Sequence, residues 1–211
     1  MTVARTQKGG WVSGRLFLER KWVMLQVYTG NGKGKTTAAM GLAIRALGAG
    51  MRVYIMQFMK SLAYSEQAVL RGFSPQLLLE TTGKPFFIAE EGMLTEEERK
   101  AWGEDVVVFP KGHPPKDYVE LMAQGLARAT CMAPDYDLVI LDEIHVALAF
   151  ELISQTAAEE FLAKVSPGRE VVFTGRKAPD WLVERADLVT DMQEVKHYYQ
   201  KGIAARKGIE N

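Results

Sequence analysis

The sequence predicts an α/β fold, in which a mostly parallel β-sheet carries helices on both of its faces. Apolar runs of strand length alternate with helical segments along the chain, an order typical of βαβ units and a parallel sheet. The first apolar run, residues 23–28, turns through a glycine-rich loop into a helical segment at residues 38–47. These two observations put the first strand and the first helix of the fold on either side of that loop.

The glycine-rich loop, residues 29–37, reads Thr-Gly-Asn-Gly-Lys-Gly-Lys-Thr-Thr. Its glycines let the backbone direct N–H groups toward an anion, and the following helix adds the positive end of its dipole. Lys35 is suited to reach phosphate oxygens and Thr36 to offer its hydroxyl to a phosphate-bound Mg²⁺, which is the chemistry of a Walker A loop. The full Walker A spacing needs glycine at position 29, where this chain has Thr29. The loop still predicts a P-loop NTPase-like (RecA-like) fold, because a glycine turn without a ligand explains the pattern poorly.

An apolar run that ends in two acids is the second strong signal. Residues 138–141 are all aliphatic, and Asp142 and Glu143 follow them directly. A buried strand of this kind delivers a carboxylate to a Mg²⁺-nucleotide site. We expect Asp142 to lie nearest the metal, directly or through water, with Glu143 beside it. Together with Thr36 these acids form the predicted metal site, while His145 is given no chemical role.

The other elements follow from apolar runs and helical spacing. Strands are predicted at residues 51–58, 76–80, 170–174 and 188–191, and helices at residues 65–70, 117–130, 155–165 and 179–186. The acidic segment 90–105 is expected to be a solvated helix face, and residues 106–115 an excursion or lid. The strand at residues 170–174 leads to Arg176 at the same sheet edge, where its guanidinium is suited to a phosphate or another anion.

The composition favours one folded domain. At 211 residues and 47% hydrophobic, the chain has enough core for a single domain, which we predict at residues 23–211. Residues 1–22 carry five basic residues against one acid and are broken by glycines, so they are predicted to be a flexible basic arm. Met24 is an alternative start of the protein. The 26 basic and 26 acidic residues balance, so no global field favours nucleic acid or an acidic membrane as a partner.

The single cysteine and the short apolar runs predict a cytoplasmic protein. Cys131 excludes an intrachain disulfide and a cysteine-rich zinc site, and it fits a reducing compartment. We expect it to be a small buried side chain near a helix end. The longest apolar runs fall far short of the ~20 residues of a transmembrane helix, and no secretory leader is visible.

Taken together, the motifs resemble the ATP:corrinoid adenosyltransferases, also called cob(I)yrinic acid a,c-diamide adenosyltransferases, which act on cobalamin and its precursors. The resemblance covers about residues 24–211, and a loop that begins with threonine is this family's own form of Walker A. In chain order, the matching motifs are residues 27–39, Gln57-Phe58-x-Lys60, residues 139–143, Thr174-Gly175-Arg176, Val195-Lys196-His197 and Gly208-Ile209.

The resemblance implies an unusual reaction for this fold. Family members transfer the 5′-deoxyadenosyl group of ATP to cobalt(I) and release intact triphosphate, so the C5′–O bond breaks. Cobalt(I) is the nucleophile, so the protein needs no nucleophilic side chain. Lys33, Lys35 and Mg²⁺ would hold the triphosphate as leaving group, and Lys35 and Glu143 are the predicted catalytic residues. The residues predicted to bind ATP are Thr29, Gly30, Asn31, Gly32, Lys33, Gly34, Lys35, Thr36, Thr37 and Arg176.

The resemblance also implies partners and corrinoid contacts. A reduced flavin carrier would supply the electron that makes cobalt(I), and a homodimer is expected. Family members use aromatic residues after a Thr-Gly pair to keep the lower axial ligand off cobalt. Here Lys84 stands where the first aromatic is expected, and Phe86 fits the second position. The predicted corrinoid-binding residues are Gln57, Lys60, Phe86 and Phe87, although these two aromatics would equally suit packing on the core.

Other classes of function remain open from the motifs alone, because Walker motifs report nucleotide binding and not the fate of the nucleotide. A P-loop ATPase or phosphotransferase of unknown acceptor is the main alternative, and a regulatory module that binds nucleotide without chemistry is another. Residues 141–145 are also similar to a D-E-x-H helicase motif, but helicases need two such domains and this chain has room for one. Whether the acceptor is complete cobalamin or an incomplete corrinoid is left open.

Overall fold

Six strands form the central sheet of this computed structural model, which describes residues 23–61, 63–165 and 167–210. The strands are β1 (Met24–Thr29), β2 (Val53–Phe58), β3 (Leu77–Thr82), β6 (Leu138–Asp142), β7 (Glu170–Thr174) and β8 (Leu188–Asp191). Their order across the sheet is β3-β2-β6-β7-β1-β8, and every pairing between them is parallel. The predicted parallel sheet is therefore confirmed, whereas the basic arm predicted at residues 1–22 lies outside the described residues.

Helices cover both faces of this sheet. The α-helices of the described residues are α1 (Lys35–Gly48), α2 (Ser65–Arg71), α3 (Glu96–Trp102), α4 (Lys116–Met132), α5 (Ile144–Ala149), α6 (Gln155–Lys164) and α7 (Asp180–Arg185). Successive side chains of a strand point to opposite faces, so β2 contributes Ile55 to one apolar cluster and Tyr54 to the other. Ala43 of α1 packs in the first cluster, and Met122 of α4 packs in the second. The predicted arrangement of helices on both faces is confirmed.

Two elements correct the prediction for the acidic segment and the proposed lid. Strands β4 (Phe87–Glu90) and β5 (Val106–Phe109) pair in parallel as a separate two-stranded sheet, with α3 between them in the chain. Phe109 is buried, and its ring meets Phe150 edge to face at 5.6 Å between centroids. This contact anchors the end of β5 in the main core. The solvated helix is confined to α3, which begins with a capping box between Thr95 and Glu98.

The environment of Cys131 also differs from the prediction, because its side chain is exposed. The buried stripe of α4 includes Met122, Leu126 and Ala129. Each helical residue turns about 100° from the previous one, so Cys131 falls on the side opposite Ala129. Among the residues that the structure describes, no helix is both long and apolar enough to span a membrane.

The topology brings the predicted motifs to one edge. In a parallel sheet all strands end on the same side, which is where ligands bind in open α/β folds. Thr29, Asp142 and Thr174 are the last residues of three neighbouring strands. Gln57 stands opposite Asp142 in the register between β2 and β6. The carboxyl edge of the sheet therefore gathers residues that are far apart in the sequence.

Candidate functional site

The glycine-rich loop leaves β1 and enters α1, in the predicted order, although the helix begins at Lys35 and not at residue 38. Gly30 and Gly32 are required by close approach of the chain after β8. A Cβ on Gly30 would lie 2.2 Å from an Asp191 carboxylate oxygen, and one on Gly32 would lie 2.6 Å from the Met192 carbonyl oxygen. The amide of Gly32 donates to that same carbonyl at 2.6 Å. The loop is thus braced from outside by the segment that follows β8.

The Lys35 side chain folds back into the loop. Its ammonium donates to the carbonyl oxygens of Gly30 at 2.6 Å and Gly32 at 2.8 Å, and the residue is 8% exposed. Burial lowers the pKa of Lys35, and the positive charge of Arg176 lowers it further. An ammonium has three donors, so one hydrogen remains available to a ligand. Arg176 itself is exposed and close enough to Lys35 to add to the positive field of the loop.

Lys33 points outward and contacts the end of the chain instead. Its ammonium donates to the Ile209 carbonyl oxygen at 2.7 Å, to Glu210 Oε1 at 3.0 Å and to the Tyr198 hydroxyl at 3.3 Å. These contacts use all three donors of the ammonium. Glu210 also accepts from Tyr198 and Arg206, and the hydrogen bond from Arg206 is the largest cause that lowers the pKa of this carboxyl. Any triphosphate contact of Lys33 therefore requires the loss of one of these bonds.

The other predicted ATP-binding residues line the same loop. Asn31 and Thr37 are exposed, and the Thr29 hydroxyl accepts a hydrogen bond from the Ala178 amide at 3.2 Å. A cavity of about 390 Å³ lies between the loop and the C-terminal segment, and Gly32, Lys33, Lys196 and His197 are among its lining residues. The loop thus borders an open space with basic side chains on its wall.

Asp142 is the centre of the polar cluster at the sheet edge. Its side chain is fully buried and accepts four hydrogen bonds. The hydroxyls of Thr36 at 2.9 Å and Thr174 at 2.6 Å donate to Oδ1, and Gln57 Nε2 at 3.1 Å and Lys60 Nζ at 2.8 Å donate to Oδ2. Burial alone would raise the pKa of Asp142, but the charge of Lys60 and these hydrogen bonds outweigh it and lower the pKa. The carboxylate is therefore ionised.

Glu143 lies beside this cluster in a left-handed backbone conformation, with φ of 63°. Its amide donates to the Thr174 hydroxyl at 3.0 Å, which fixes the turn between β6 and α5. Burial raises the pKa of the Glu143 carboxyl, and the negative charge of Asp142 raises it further. The two acids differ accordingly: Asp142 is held ionised by its donors, whereas the proton affinity of Glu143 is increased.

Gln57 and Lys60, predicted as corrinoid contacts, have other partners in the structure. Gln57 is fully buried, and its Oε1 accepts from Gln67 Nε2 at 2.8 Å, so both ends of the amide are used within the protein. The Lys60 ammonium lies 2.8 Å from Asp142 and 3.3 Å from the Thr36 hydroxyl. Direct contact of these two side chains with a corrinoid stays a prediction that their hydrogen bonds do not support.

The two candidate aromatics differ in position. Phe86 packs against the core, with its ring centroid 6.1 Å from that of Tyr118 and the Lys84 ammonium 5.7 Å from its centre. Phe87 is the first residue of β4 and is 52% exposed. The loop that carries them passes directly beside Lys60, because a Cβ on Gly83 would lie 2.5 Å from the Lys60 amide nitrogen. The aromatic loop and the polar cluster are therefore neighbours.

Three residues in or beside the polar cluster around Asp142 were not among the predicted site residues. Thr174 and Gln67 support Asp142 and Gln57, and His145 contacts the Gly175 carbonyl oxygen through Nδ1 at 3.0 Å. Burial lowers the pKa of His145 to about 4, so the ring is neutral at pH 7. Of these three residues, only Thr174 was indicated by the sequence, because the Thr-Gly-Arg motif at residues 174–176 places it at the end of a strand. In the described part of the chain, no group of three or more His, Cys, Asp or Glu side chains is placed to hold a metal ion.

The profile of one family matches most of the chain, namely "ATP:corrinoid adenosyltransferase BtuR/CobO/CobP" over residues 21–211. The corrinoid adenosyltransferase of Pseudomonas aeruginosa is 33% identical over 189 residues, which cover 89% of this chain and 83% of that protein. The corrinoid adenosyltransferase CobA of Salmonella typhimurium is 31% identical over 188 residues, which cover 87% and 83%.

A solved structure, the genome packaging NTPase B204 from Sulfolobus turreted icosahedral virus 2 in complex with AMP, is more loosely similar. It has a TM-score of 0.44 and 15% identity, and the match covers 82% of this chain and 75% of that one. No inference about ligands follows from that likeness. Family membership follows from the sequence match, which extends from the first described strand to the last residue. The chain belongs to the ATP:corrinoid adenosyltransferase family.

Proposed function

We propose that this chain transfers the 5′-deoxyadenosyl group of ATP to the cobalt(I) of a corrinoid and releases triphosphate. The observation that carries the proposal is the 2.9 Å contact between the Thr36 hydroxyl and the Asp142 carboxylate at the end of the phosphate loop. A hydroxyl and a carboxylate are hard oxygen donors of the kind that Mg²⁺ prefers, and the loop beside them suits a polyphosphate. Family membership then indicates which bond of ATP is broken.

The roles of the residues follow from charge and position. In the reaction the cobalt(I) electron pair forms the cobalt–carbon bond to C5′, and the C5′–O bonding pair leaves with the triphosphate. Lys35, with one unused donor, and Arg176 would stabilise the charge of that leaving group together with the loop amides. Thr36 and Asp142 would hold Mg²⁺, with Glu143 beside them. Bound Mg²⁺ would neutralise part of the phosphate charge.

The corrinoid would lie against the loop that carries Phe86 and Phe87. This proposal is supported by the close packing of Gly83 on Lys60, which makes the aromatic loop a neighbour of the polar cluster around Asp142. Residues 23–211 would act as one nucleotide- and corrinoid-binding domain. The family resemblance further supports a homodimer, a reduced flavin carrier as electron donor, and a cytoplasmic location.

One experiment tests the reaction directly. The protein is mixed in the dark with ATP, Mg²⁺, cobalamin and a strong reductant, the visible spectrum is followed through a light pulse, and triphosphate is assayed. We expect a light-sensitive adenosyl spectrum and one triphosphate per corrinoid converted. Heat-inactivated protein and omission of ATP serve as controls.

The products separate this proposal from the alternative. ADP and phosphate, or a phosphorylated acceptor, without a spectral change would identify a P-loop ATPase or phosphotransferase and overturn the proposed transfer. Unchanged ATP under conditions in which cobalt(I) forms would overturn it as well. Comparison of cobalamin with an incomplete corrinoid such as cobyrinic acid diamide then decides which acceptor is used.

A further inference from the structure

The buried Asp142 carboxylate has no acceptor position to spare. A carboxylate offers about four hydrogen-bonding positions, two on each oxygen. Thr36 and Thr174 take those of Oδ1, and Gln57 and Lys60 take those of Oδ2. Three of these donors are neutral, and Lys60 is the cation. A metal ion that binds Asp142 must therefore displace one of these donors. Lys60 is the donor whose positive charge the metal ion would replace.

The Lys60 ammonium also contacts Thr36, the other residue proposed to hold Mg²⁺. The Thr36 hydroxyl donates its proton to Asp142 and lies 3.3 Å from the Lys60 ammonium, from which it accepts. The ammonium thus touches both oxygen atoms that we expect Mg²⁺ to contact. Mg²⁺ binds such oxygens at about 2.0–2.1 Å, so the ion and the ammonium compete for the same space.

The neighbouring residues restrict the position of the Lys60 side chain. Met59 has a φ of 56°, a left-handed conformation that turns the chain immediately after β2. The Lys60 side chain is 11% exposed, and its ammonium lies 5.0 Å from the centre of the Tyr64 ring. Gly83 covers the backbone of Met59 and Lys60, because a Cβ on Gly83 would lie 2.7 Å from the Met59 carbonyl carbon. Lys60 is therefore held in position from several sides.

Charge balance explains why a cation is needed there. Asp142 is fully buried and ionised, and a buried carboxylate without a compensating charge is strongly unfavourable. Lys60 supplies that charge in the nucleotide-free protein. When a divalent ion supplies it instead, an ammonium at the same carboxylate is repelled. A polyphosphate that arrives with the metal offers the ammonium new acceptors, whereas free Mg²⁺ offers none.

We propose that Lys60 is a positioning residue that acts as the resident counter-ion of Asp142 and keeps free divalent cations out of the site. It releases Asp142 and Thr36 when Mg²⁺ arrives bound to the nucleotide. The site would then accept the metal-nucleotide complex in preference to the metal alone. This inference rests on the metal site of the proposed function and not on the transfer reaction.

Metal binding to the nucleotide-free protein provides the test, with Mn²⁺ as the probe in place of Mg²⁺. Bound Mn²⁺ is counted by electron paramagnetic resonance, with and without ATP, in the wild type and in Lys60→Met, which keeps most of the side-chain length but removes the charge. We expect weak Mn²⁺ binding by the wild type without ATP. In Lys60→Met we expect binding about ten-fold tighter, because the competing charge is gone.

Thermal unfolding gives an independent readout. Lys60→Met should unfold at a lower temperature than the wild type in EDTA, and MgCl₂ alone should recover much of the loss while it leaves the wild type unchanged. Lys60→Arg, which keeps the charge, should behave as the wild type does. Lys164→Met is the matched control, because it removes a lysine from an exposed ion pair with Glu160 and should alter neither readout.

Two outcomes overturn the proposal. One is tight Mn²⁺ binding by the wild type without ATP, a result that needs no variant and so stands even if Lys60→Met does not fold. The other is a folded Lys60→Met protein with the metal affinity of the wild type. Neither experiment contains a corrinoid or a reductant, so both results are independent of whether adenosyl transfer is observed.

Discussion

Replacing Thr174 with valine removes one hydroxyl from the network around Asp142 and leaves the shape of the side chain almost unchanged. That hydroxyl donates to Asp142 Oδ1 at 2.6 Å and accepts from the Glu143 amide at 3.0 Å, and Thr174 is fully buried. The valine variant therefore leaves a buried carboxylate one donor short and a backbone N–H unpaired. Each unsatisfied group costs about 1–3 kcal/mol, which gives a loss of about 3 kcal/mol in the free energy of unfolding.

Such a loss is large enough to measure in two ways. For a chain of this size about 3 kcal/mol corresponds to a fall in Tm of about 6–12 °C. Urea unfolding in EDTA measures the free energy, and ATP titration in the presence of Mg²⁺ measures the effect on the site. Thr174→Ser is the matched control, because it keeps the hydroxyl and loses one methyl group, at a cost of about 1 kcal/mol.

Comparison of the two variants shows whether the Thr174 hydroxyl stabilises the protein. The reasoning predicts that Thr174→Val is less stable than Thr174→Ser and binds the nucleotide more weakly. If both variants lose the same stability, the hydroxyl contributes no more than the methyl group, and if Thr174→Ser is the less stable of the two, packing of the methyl group outweighs the hydrogen bonds. If the free energy of unfolding of Thr174→Val lies within about 0.5 kcal/mol of the wild-type value, which is the usual effect of a surface substitution, the network does not stabilise the fold.

Three further changes test the loop, the C-terminal contact and the buried histidine. Lys35→Ala should lower the rate of adenosyl transfer by about 10²–10³-fold, because a donor to the leaving group is lost. Unchanged turnover in steady-state kinetics would show that Lys35 has no role in the reaction. Glu210→Gln should remove the ion pair that holds Lys33 against the C-terminal segment, so that its ammonium leaves more easily for the nucleotide, ATP binding tightens and amide exchange over residues 198–210 speeds up. Unchanged affinity in calorimetry would show that Glu210 does not compete with the nucleotide. His145 has a pKa lowered by burial from 6.5 to about 4, so its contribution to stability is present above pH 6.5 and is lost as the pH falls toward 4. Urea unfolding at pH 7 and pH 5 should differ by about 2 kcal/mol from this residue, and a His145→Asn variant with an equal slope would contradict that assignment.

Much of the fold was predictable because its signals are local. The strands at residues 170–174 and 188–191 were predicted with the bounds that the structure has, since runs of β-branched and apolar residues between turn residues are visible in short windows. The strands at residues 87–90 and 106–109 were not predicted as a pair. Each is only four residues long, and their pairing depends on a partner across the intervening α3.

The features of the site also divide into those that local sequence patterns predict and those that depend on distant residues. The order of glycine, lysine and threonine in the loop and the acids after an aliphatic run indicated a nucleotide site and a family, because these features depend on spacing within about ten residues. The contacts of Lys33 were not predictable, because its partner Glu210 is 177 residues away in the chain. No local pattern indicates which end of the protein will cover a loop.

The sequence by itself determined the fold class, the phosphate loop, the acidic pair and the family, since each follows from residue types at short spacing. Beyond Thr36, which the loop motif had already placed with Asp142, the tertiary structure alone decided which side chains meet that carboxylate. Parallel pairing puts Gln57 opposite Asp142 and Thr174 one residue beyond the partner of Leu141, while the turn at Met59 directs Lys60 onto the carboxylate. Hydrogen bonds act over about 3 Å, so these partners are selected by strand order and register.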